Sequence, residues 1–149
     1  MFAPIGLQIA GWHHDPSGNP MLPYGAWTTA HEWARYGVLI RDDGLWRGQR
    51  VLPEGVRERC TTGSEPNPAY GMTWWLNQPL GEEAEIYGIP MDRDGEGVLH
   101  PGGYADAFVA AGHNDQRMYV FPGEDLVVVL LSDGHRQFRD RSFVTTLLP

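Results

Sequence analysis

The chain has 149 residues, of which 42% are hydrophobic and 20% are charged. This balance is ordinary for a globular protein, and the length predicts a single domain over residues 1–149 with one sizeable core. The 19 acidic and 11 basic side chains give a formal net charge of -8. The average surface therefore repels polyanions, and nucleic acid is not expected as a partner.

The start of the chain and its single cysteine say little about its compartment. No apolar run is long enough to span a membrane, and no basic leader or signal-like core is present at the start. The chain opens on core-like residues such as Phe2 and Ile5, which is typical of a domain cut from something longer, although a short natural N-terminus has the same appearance. Cys60 has no partner for an internal disulfide, so localisation stays undetermined.

The first predicted elements are an irregular loop and a helix. Residues 11–27 are rich in Gly, Pro, His and Trp, which favours a loop with tight turns. Thr29 and Glu32 fit a capping box at the start of the helix, and Asp42-Asp43-Gly44 ends it. Its buried stripe is predicted from apolar residues at helical spacing: Ala30, Trp33, Ala34, Gly37 and Ile40.

Two small pieces follow this helix. Residues 44–52 predict a hairpin with its turn at Arg47-Gly48, and Pro53 opens a second short helix that runs to about Cys60. Neither piece is long enough to form a core of its own. Both are expected to cover other structure.

The rest of the chain predicts strands and a closing helix. The aromatic-rich residues 70–77 favour a strand, and residues 78–106 form a long Gly, Pro and acidic excursion. Further strands are predicted at residues 108–113, 117–121 and 126–132, and a helix at 138–148. The unbroken apolar run of the last strand indicates that both its faces are covered. The fold class is therefore α+β, with an antiparallel sheet flanked by helices.

Four patches in order carry a resemblance to a known family. They are Pro4-Ile5-Gly6-Leu7, the segment from Trp27 to Gly37, residues 70–77, and residues 101–131, which include Gly112-His113-Asn114-Asp115-Gln116. The chain resembles the C-terminal portion of the serine hydrolases related to class C β-lactamases and penicillin-binding proteins. This group includes esterases and 6-aminohexanoate-dimer hydrolase-like amidases. The resemblance implies a partial β-lactamase/transpeptidase-like fold and no cofactor.

The resemblance also implies catalytic motifs that the sequence lacks. In this family a Ser-x-x-Lys motif supplies the attacking serine and the lysine that activates it, and a Tyr-x-Asn or Ser-x-Asn motif completes the proton relay. The chain contains no lysine, and no tyrosine is followed two residues later by asparagine. Ser17-Gly18-Asn19 lies after the Pro4-Ile5-Gly6-Leu7 element, whereas the family's second motif precedes that element, so it is interpreted as a turn. Both motifs are expected upstream of Met1.

The family's third element is present in altered form at residues 113–116. By the resemblance, His113 is a catalytic residue that orients the proton relay or polarises the substrate. Asn114, Asp115 and Gln116 line the substrate, and the Gln116 backbone N–H is one donor of the oxyanion hole. Asp115 departs from the family, which usually has glycine there. The alternative interpretation is a polar turn, with a histidine at a strand end.

No metal site is expected from the remaining polar clusters. Neighbouring side chains of His13-His14-Asp15 point apart on an extended segment, and no second cluster supports them. The segment Asp92 to Gly97 resembles a calcium loop, but Gly103 occupies the position of the bidentate glutamate. Trp74 and Trp75 either line an acyl pocket or form one core and one surface residue.

Three functional hypotheses remain. The first is the C-terminal part of a hydrolase that acts on a small-molecule amide or ester, inactive alone because its nucleophile is missing. The second is a binding module or truncated derivative without catalysis that keeps the substrate-facing strand. The third, a different hydrolase that uses His113 with Asp106 or Asp115, lacks a convincing nucleophile. An incomplete sheet would also leave an open edge, which predicts self-association.

Overall fold

The computed structural model describes residues 2–21, 25–79, 103–134 and 138–148. Within these ranges the helices are α1 (Ala30–Arg41), α2 (Val56–Cys60) and α3 (Asp140–Leu147). The strands are β1 (Gly11–Trp12), β2 (Ala26–Trp27), β3 (Leu45–Trp46), β4 (Gln49–Arg50), β5 (Trp75–Leu76), β6 (Phe108–Ala111), β7 (Arg117–Phe121) and β8 (Leu126–Leu130). Most of the predicted excursion at 78–106, including Asp92 to Gly97, lies outside the described residues.

The main sheet has the order β5-β6-β7-β8, and each pair of neighbours is antiparallel. β6 and β7 are joined by the short turn that contains His113, and β7 and β8 by a 3-10 turn at Pro122–Glu124. Two-stranded ladders join β1 to β2 and β3 to β4. The predicted α+β arrangement is confirmed.

Each face of the main sheet has its own apolar layer. On one face, Met118 and Val120 of β7 pack with Ile40 of α1 and with Trp74. On the other face, Tyr119 and Phe121 pack with Val144 of α3, Ala107 and Val109. Side chains of β8 contribute to both layers, which explains the lack of alternation in its sequence. The sheet is thus covered by α1 on one side and α3 on the other.

Helix α1 begins as the sequence predicts. The hydroxyl oxygen of Thr29 accepts a 3.2 Å hydrogen bond from the backbone N–H of Glu32, which satisfies one of the free donors of the first turn. Gly37 and Ile40 are buried, as the predicted stripe requires. Leu39 is also fully buried, on the opposite side of the helix, where it packs with Ile5 and Leu7. The helix therefore lies between the sheet and the N-terminal segment.

The predicted hairpin and second helix are both present, but the helix starts later than predicted. β3 and β4 pair across Arg47 and Gly48, whose φ angles of 49° and 79° are those of the turn that fits a tight hairpin. α2 starts at Val56 rather than Pro53. Its start is fixed by Asp43, whose carboxylate accepts hydrogen bonds of 2.9 Å from the N–H groups of Gly55 and Arg57. These backbone donors lower the pKa of the Asp43 carboxyl, with the Arg57 N–H contributing most.

The strand predicted over residues 70–77 is wrong for most of its length, because only Trp75–Leu76 forms a strand. The preceding residues instead turn back toward the end of α2. The N–H of Met72 donates to the Cys60 carbonyl at 3.0 Å, and Thr73 adopts a φ of 67°, which an extended strand does not allow. The backbone N–H of Met72 is thus hydrogen-bonded to the end of α2 rather than to a neighbouring strand.

Other predicted elements were longer than the observed ones. The strands predicted to reach His113 and Ser132 end at Ala111 and Leu130, and the closing helix spans Asp140–Leu147. The loop predicted at 11–27 carries the β1–β2 ladder at its ends, with Gly11 paired to Trp27. No helix in the described ranges is long and apolar enough to cross a bilayer.

Gly37 sets the distance between α1 and the sheet. A Cβ atom added there would lie 2.6 Å from Val127 Cγ1 and 2.8 Å from Met118 Sδ, so α1 would have to move outward. We expect Gly37→Ala to lower the free energy of unfolding by about 1–2 kcal/mol, because overpacking outweighs the better helix propensity of alanine. Urea denaturation measures the change. His31→Ala, on the exposed face of the same helix, is the control and should change stability by less than about 0.5 kcal/mol. A Gly37→Ala variant as stable as the wild type would contradict this packing.

Candidate functional site: the turn between β6 and β7

A tight turn connects the end of β6 to the start of β7. The N–H of Gly112 donates to the carbonyl of Gln116 at 2.8 Å, and His113–Asp115 form a 3-10 turn between them. Asn114 and Asp115 have φ angles of 54° and 58°, which are uncommon for residues other than glycine. The residues predicted from the sequence as a site therefore lie together in one short loop.

The side chains of the turn have different surroundings. His113 and Asn114 are exposed at its tip, and Asp115 is half-buried. The Asp115 carboxylate lies 3.5 Å from a terminal nitrogen of Arg117. The extra negative charge of Asp115 is therefore partly offset by a neighbouring cation.

Gln116 is held by the end of β8. Its side-chain oxygen accepts a 3.2 Å hydrogen bond from the Ser132 N–H, and its side-chain nitrogen donates to the Ser132 carbonyl. These paired bonds fix the side chain against the strand end. The Gln116 backbone N–H, which was predicted to be an oxyanion donor, makes a 3.4 Å contact with the His113 carbonyl, longer than the usual hydrogen-bond distance.

Beneath the turn lies a buried ion pair that the sequence analysis missed. The side chains of Arg117 and Asp140 are 1% and 2% exposed, and Arg117 Nε lies 2.7 Å from Asp140 Oδ1. The Tyr119 hydroxyl donates to the same carboxylate at 2.5 Å. Burial lowers the pKa of the Arg117 guanidinium, but the hydrogen bond and charge of Asp140 more than offset this, and the net shift is upward. Arg117 therefore stays charged inside the protein.

A sequence signal for this pair did exist. Arg117 opens an apolar strand in which Arg117 and Tyr119 share a face by strand alternation. A charged side chain at such a position needs a buried partner. The sequence pattern does not identify that partner, because Asp140 belongs to a helix 23 residues away.

The remaining candidates lie away from this turn. Trp74 is buried in the core while Trp75 is half-buried, which fits the interpretation of one core residue better than a paired acyl pocket. His13 Nε2 accepts a 3.1 Å hydrogen bond from the Trp27 indole. In the ranges that the structure describes, no group of three or more His, Cys, Asp or Glu side chains could hold a metal ion.

A small cavity lies at the other end of β6. It has a volume of about 170 Å³ and is lined in part by Arg57, Thr61, Asp106 and Pro122. The Asp106 carboxylate in its wall accepts a 2.8 Å hydrogen bond from the Gly123 N–H. This cavity and the turn at 112–116 are therefore separate features.

Comparisons with known proteins place this geometry in context. No protein-family model matches the sequence, and no curated protein sequence matches it either. Solved structures do match the fold. A candidate 6-aminohexanoate-dimer hydrolase from Bacillus anthracis superposes with a TM-score of 0.62 and 19% identity, over 91% of this chain and 31% of that one. A candidate β-lactamase from Bacteroides dorei superposes with a TM-score of 0.58 and 16% identity, over 99% of this chain and 48% of that one.

The described part of the chain adopts a β-lactamase-like fold. The chain spans about a third and about half of the two structures, at 31% and 48% of their lengths. The expected partial β-lactamase-like fold is thereby confirmed. At identities of 19% and 16%, the likeness to these structures concerns the fold and not the activity. One fold hosts many activities.

The left-handed backbone at Asn114 generates a test of the turn. Asn114→Val should lower the free energy of unfolding by about 1–2 kcal/mol, because a β-branched residue is strained at positive φ. Asn114→Gly should leave stability almost unchanged, since glycine adopts this conformation freely. Chemical denaturation of both variants checks the difference. Equal stabilities for valine and glycine would show that the turn is not left-handed at this residue.

Proposed function

We propose that the chain provides the substrate-facing wall of a serine β-lactamase-related hydrolase that acts on a small-molecule amide or ester through an acyl-enzyme. In this proposal, residues 1–149 form one domain, and the attacking serine and its lysine come from polypeptide outside these residues. The likeness of the fold to such hydrolases supports the proposal. The absence of lysine from the sequence supports the view that the isolated chain is inactive.

The observation that carries the proposal is the outer edge of β6. β5 pairs with Phe108 and Val109 only, so in the described residues no strand pairs with the outer edge at Ala110 and Ala111. The Ala107 carbonyl accepts from Asn77 on this outer side. Because backbone direction alternates along a strand, the N–H and C=O groups of Ala111 also point outward.

An edge of this kind can bind an extended amide or ester through main-chain hydrogen bonds. His113 follows Ala111 by two residues and is exposed, so it would stand at the end of the bound substrate. There His113 would orient the proton relay or polarise the carbonyl. The Gln116 N–H makes only a long contact inside the turn and would serve the developing oxyanion.

A second candidate function is a binding module without catalysis. Two observations favour it: the sequence contains no lysine, and Asp115 puts a carboxylate in the turn that would face the oxyanion. A negative charge at that position opposes the charge that develops during acyl transfer. Substrate binding at the β6 edge would survive this change.

Self-association is a further part of the proposal. Among the described strands, β8 is the last in the sheet order, and Leu131 after it is 47% exposed. Exposed strand edges with apolar neighbours pair readily with other chains. Two copies joined through β8 would continue the sheet, and this remains a prediction.

Turnover by the purified chain tests the catalytic part of the proposal. We expect no hydrolysis of a chromogenic β-lactam or a short-chain aryl ester above the rate of the His113→Ala variant, because no activated nucleophile is present. Robust turnover together with covalent labelling of one of the chain's own serines would overturn the view that the chain is catalytically incomplete. Absorbance assays and intact mass spectrometry give these readouts.

Binding of the same aryl ester tests whether the outer edge of β6 holds a substrate. Both candidate functions require this binding. NMR titration should shift the Ala111 and Gln116 amide signals of the wild type. Ala111→Pro removes the outward N–H, which a strand edge tolerates, and should abolish the Gln116 shift. Ala111→Ser keeps the N–H and is the matched control. If neither amide of the wild type responds, the edge does not bind the ester.

A further inference from the structure

The guanidinium of Arg117 connects the last helix to the candidate turn. On one side, its Nε and Nη2 lie 2.7 Å and 3.2 Å from the two oxygens of Asp140. Asp140 is the first residue of α3. A two-point contact of this kind fixes the orientation of the planar guanidinium as well as its position.

On its other side the same guanidinium holds both ends of the turn. Nη1 donates to the Gly112 carbonyl at 3.3 Å and to the Gln116 carbonyl at 3.1 Å, while Nη2 contacts the Asp115 carboxylate at 3.5 Å. Gly112 and Gln116 are also the two residues that close the turn through their own 2.8 Å bond. The guanidinium therefore cross-links the residues on either side of His113.

The orientation of Arg117 depends on Asp140 because both are buried. A buried guanidinium without its carboxylate is strongly disfavoured and shifts toward solvent or other acceptors. Tyr119 and Phe138 complete the enclosure: the Tyr119 hydroxyl bonds Asp140, and the Phe138 ring lies 5.6 Å from the guanidinium carbon.

We propose that Asp140 is a positioning residue, which acts through Arg117 to hold the His113–Gln116 turn in its substrate-facing conformation. The substrate-facing part of this inference rests on the proposed function. The positioning part does not, since it concerns the conformation of the turn in the free protein. Helix α3 thus helps to shape the site, although it contributes no residue to the turn.

Hydrogen exchange of individual amides tests the inference on the full chain. In Asp140→Asn, which keeps the size of the side chain, we expect the protection of the Gly112 amide to fall roughly tenfold, because local opening of the turn becomes easier. The Val120 amide, in the same strand as Arg117, reports global unfolding and should lose protection together with the stability of the whole chain. An unchanged Gly112 protection beside a reduced Val120 protection would indicate a structural role only and would overturn the inference.

Two further variants keep the test decisive. Tyr119→Phe removes one bond to Asp140 but keeps the ion pair, and should leave the Gly112 protection within about twofold of the wild type. If Asp140→Asn does not fold, Arg117→Lys decides: it keeps the charge beside Asp140 but lacks the fork that reaches both turn carbonyls. Folded Arg117→Lys with wild-type Gly112 protection would overturn the inference.

The same variants separate this inference from the proposed function. Failure of the wild type to bind the aryl ester would count against the proposed function and leave the exchange result intact. Normal Gly112 protection in Asp140→Asn would overturn the positioning role, whether or not the ester binds.

Discussion

The buried pair of Arg117 and Asp140 is the interaction on which the arrangement of this protein depends. Both side chains are almost fully removed from water, so each is tolerated only because the other is present. The pair joins the first residue of β7 to the first residue of α3. It therefore fixes the helix on the sheet at the same place where the chain leaves β6 and enters β7.

This constraint explains how a short exposed turn can have a defined shape. The two consecutive left-handed residues, Asn114 and Asp115, cost free energy that the surrounding bonds must offset. Arg117 bonds the carbonyls at the ends of the turn, and Ser132 holds the Gln116 side chain. His113 is thereby placed at the end of β6, whose outer edge at Ala111 pairs with no strand among the described residues.

The opposite face of the sheet is constrained by apolar packing. Gly37 allows α1 to approach Met118 and Val127 closely, and Leu39 carries the core through to the N-terminal segment. The strands that carry the turn are therefore covered on both sides. In the described part of the chain, the outer edge of β6 and the turn present backbone groups on the surface.

Local signals predicted much of this fold, and distant contacts explain what they did not predict. The Thr29 cap, the Arg47-Gly48 hairpin and the β7–β8 pair depend on neighbouring residues, and the structure confirms them. The strand at 70–77 was wrong because Met72 bonds the distant Cys60 carbonyl. The site residues were found as one turn, whereas the partners of Gln116 and Arg117 lie 16 and 23 residues away and leave no local pattern.

A double-mutant cycle with Arg117→Met and Asp140→Leu in urea denaturation tests the central claim most directly. Each single change should cost about 3–5 kcal/mol, and the double variant should recover part of that cost, with a coupling of about 1–3 kcal/mol. Costs that simply add would contradict the dependence of each charge on the other.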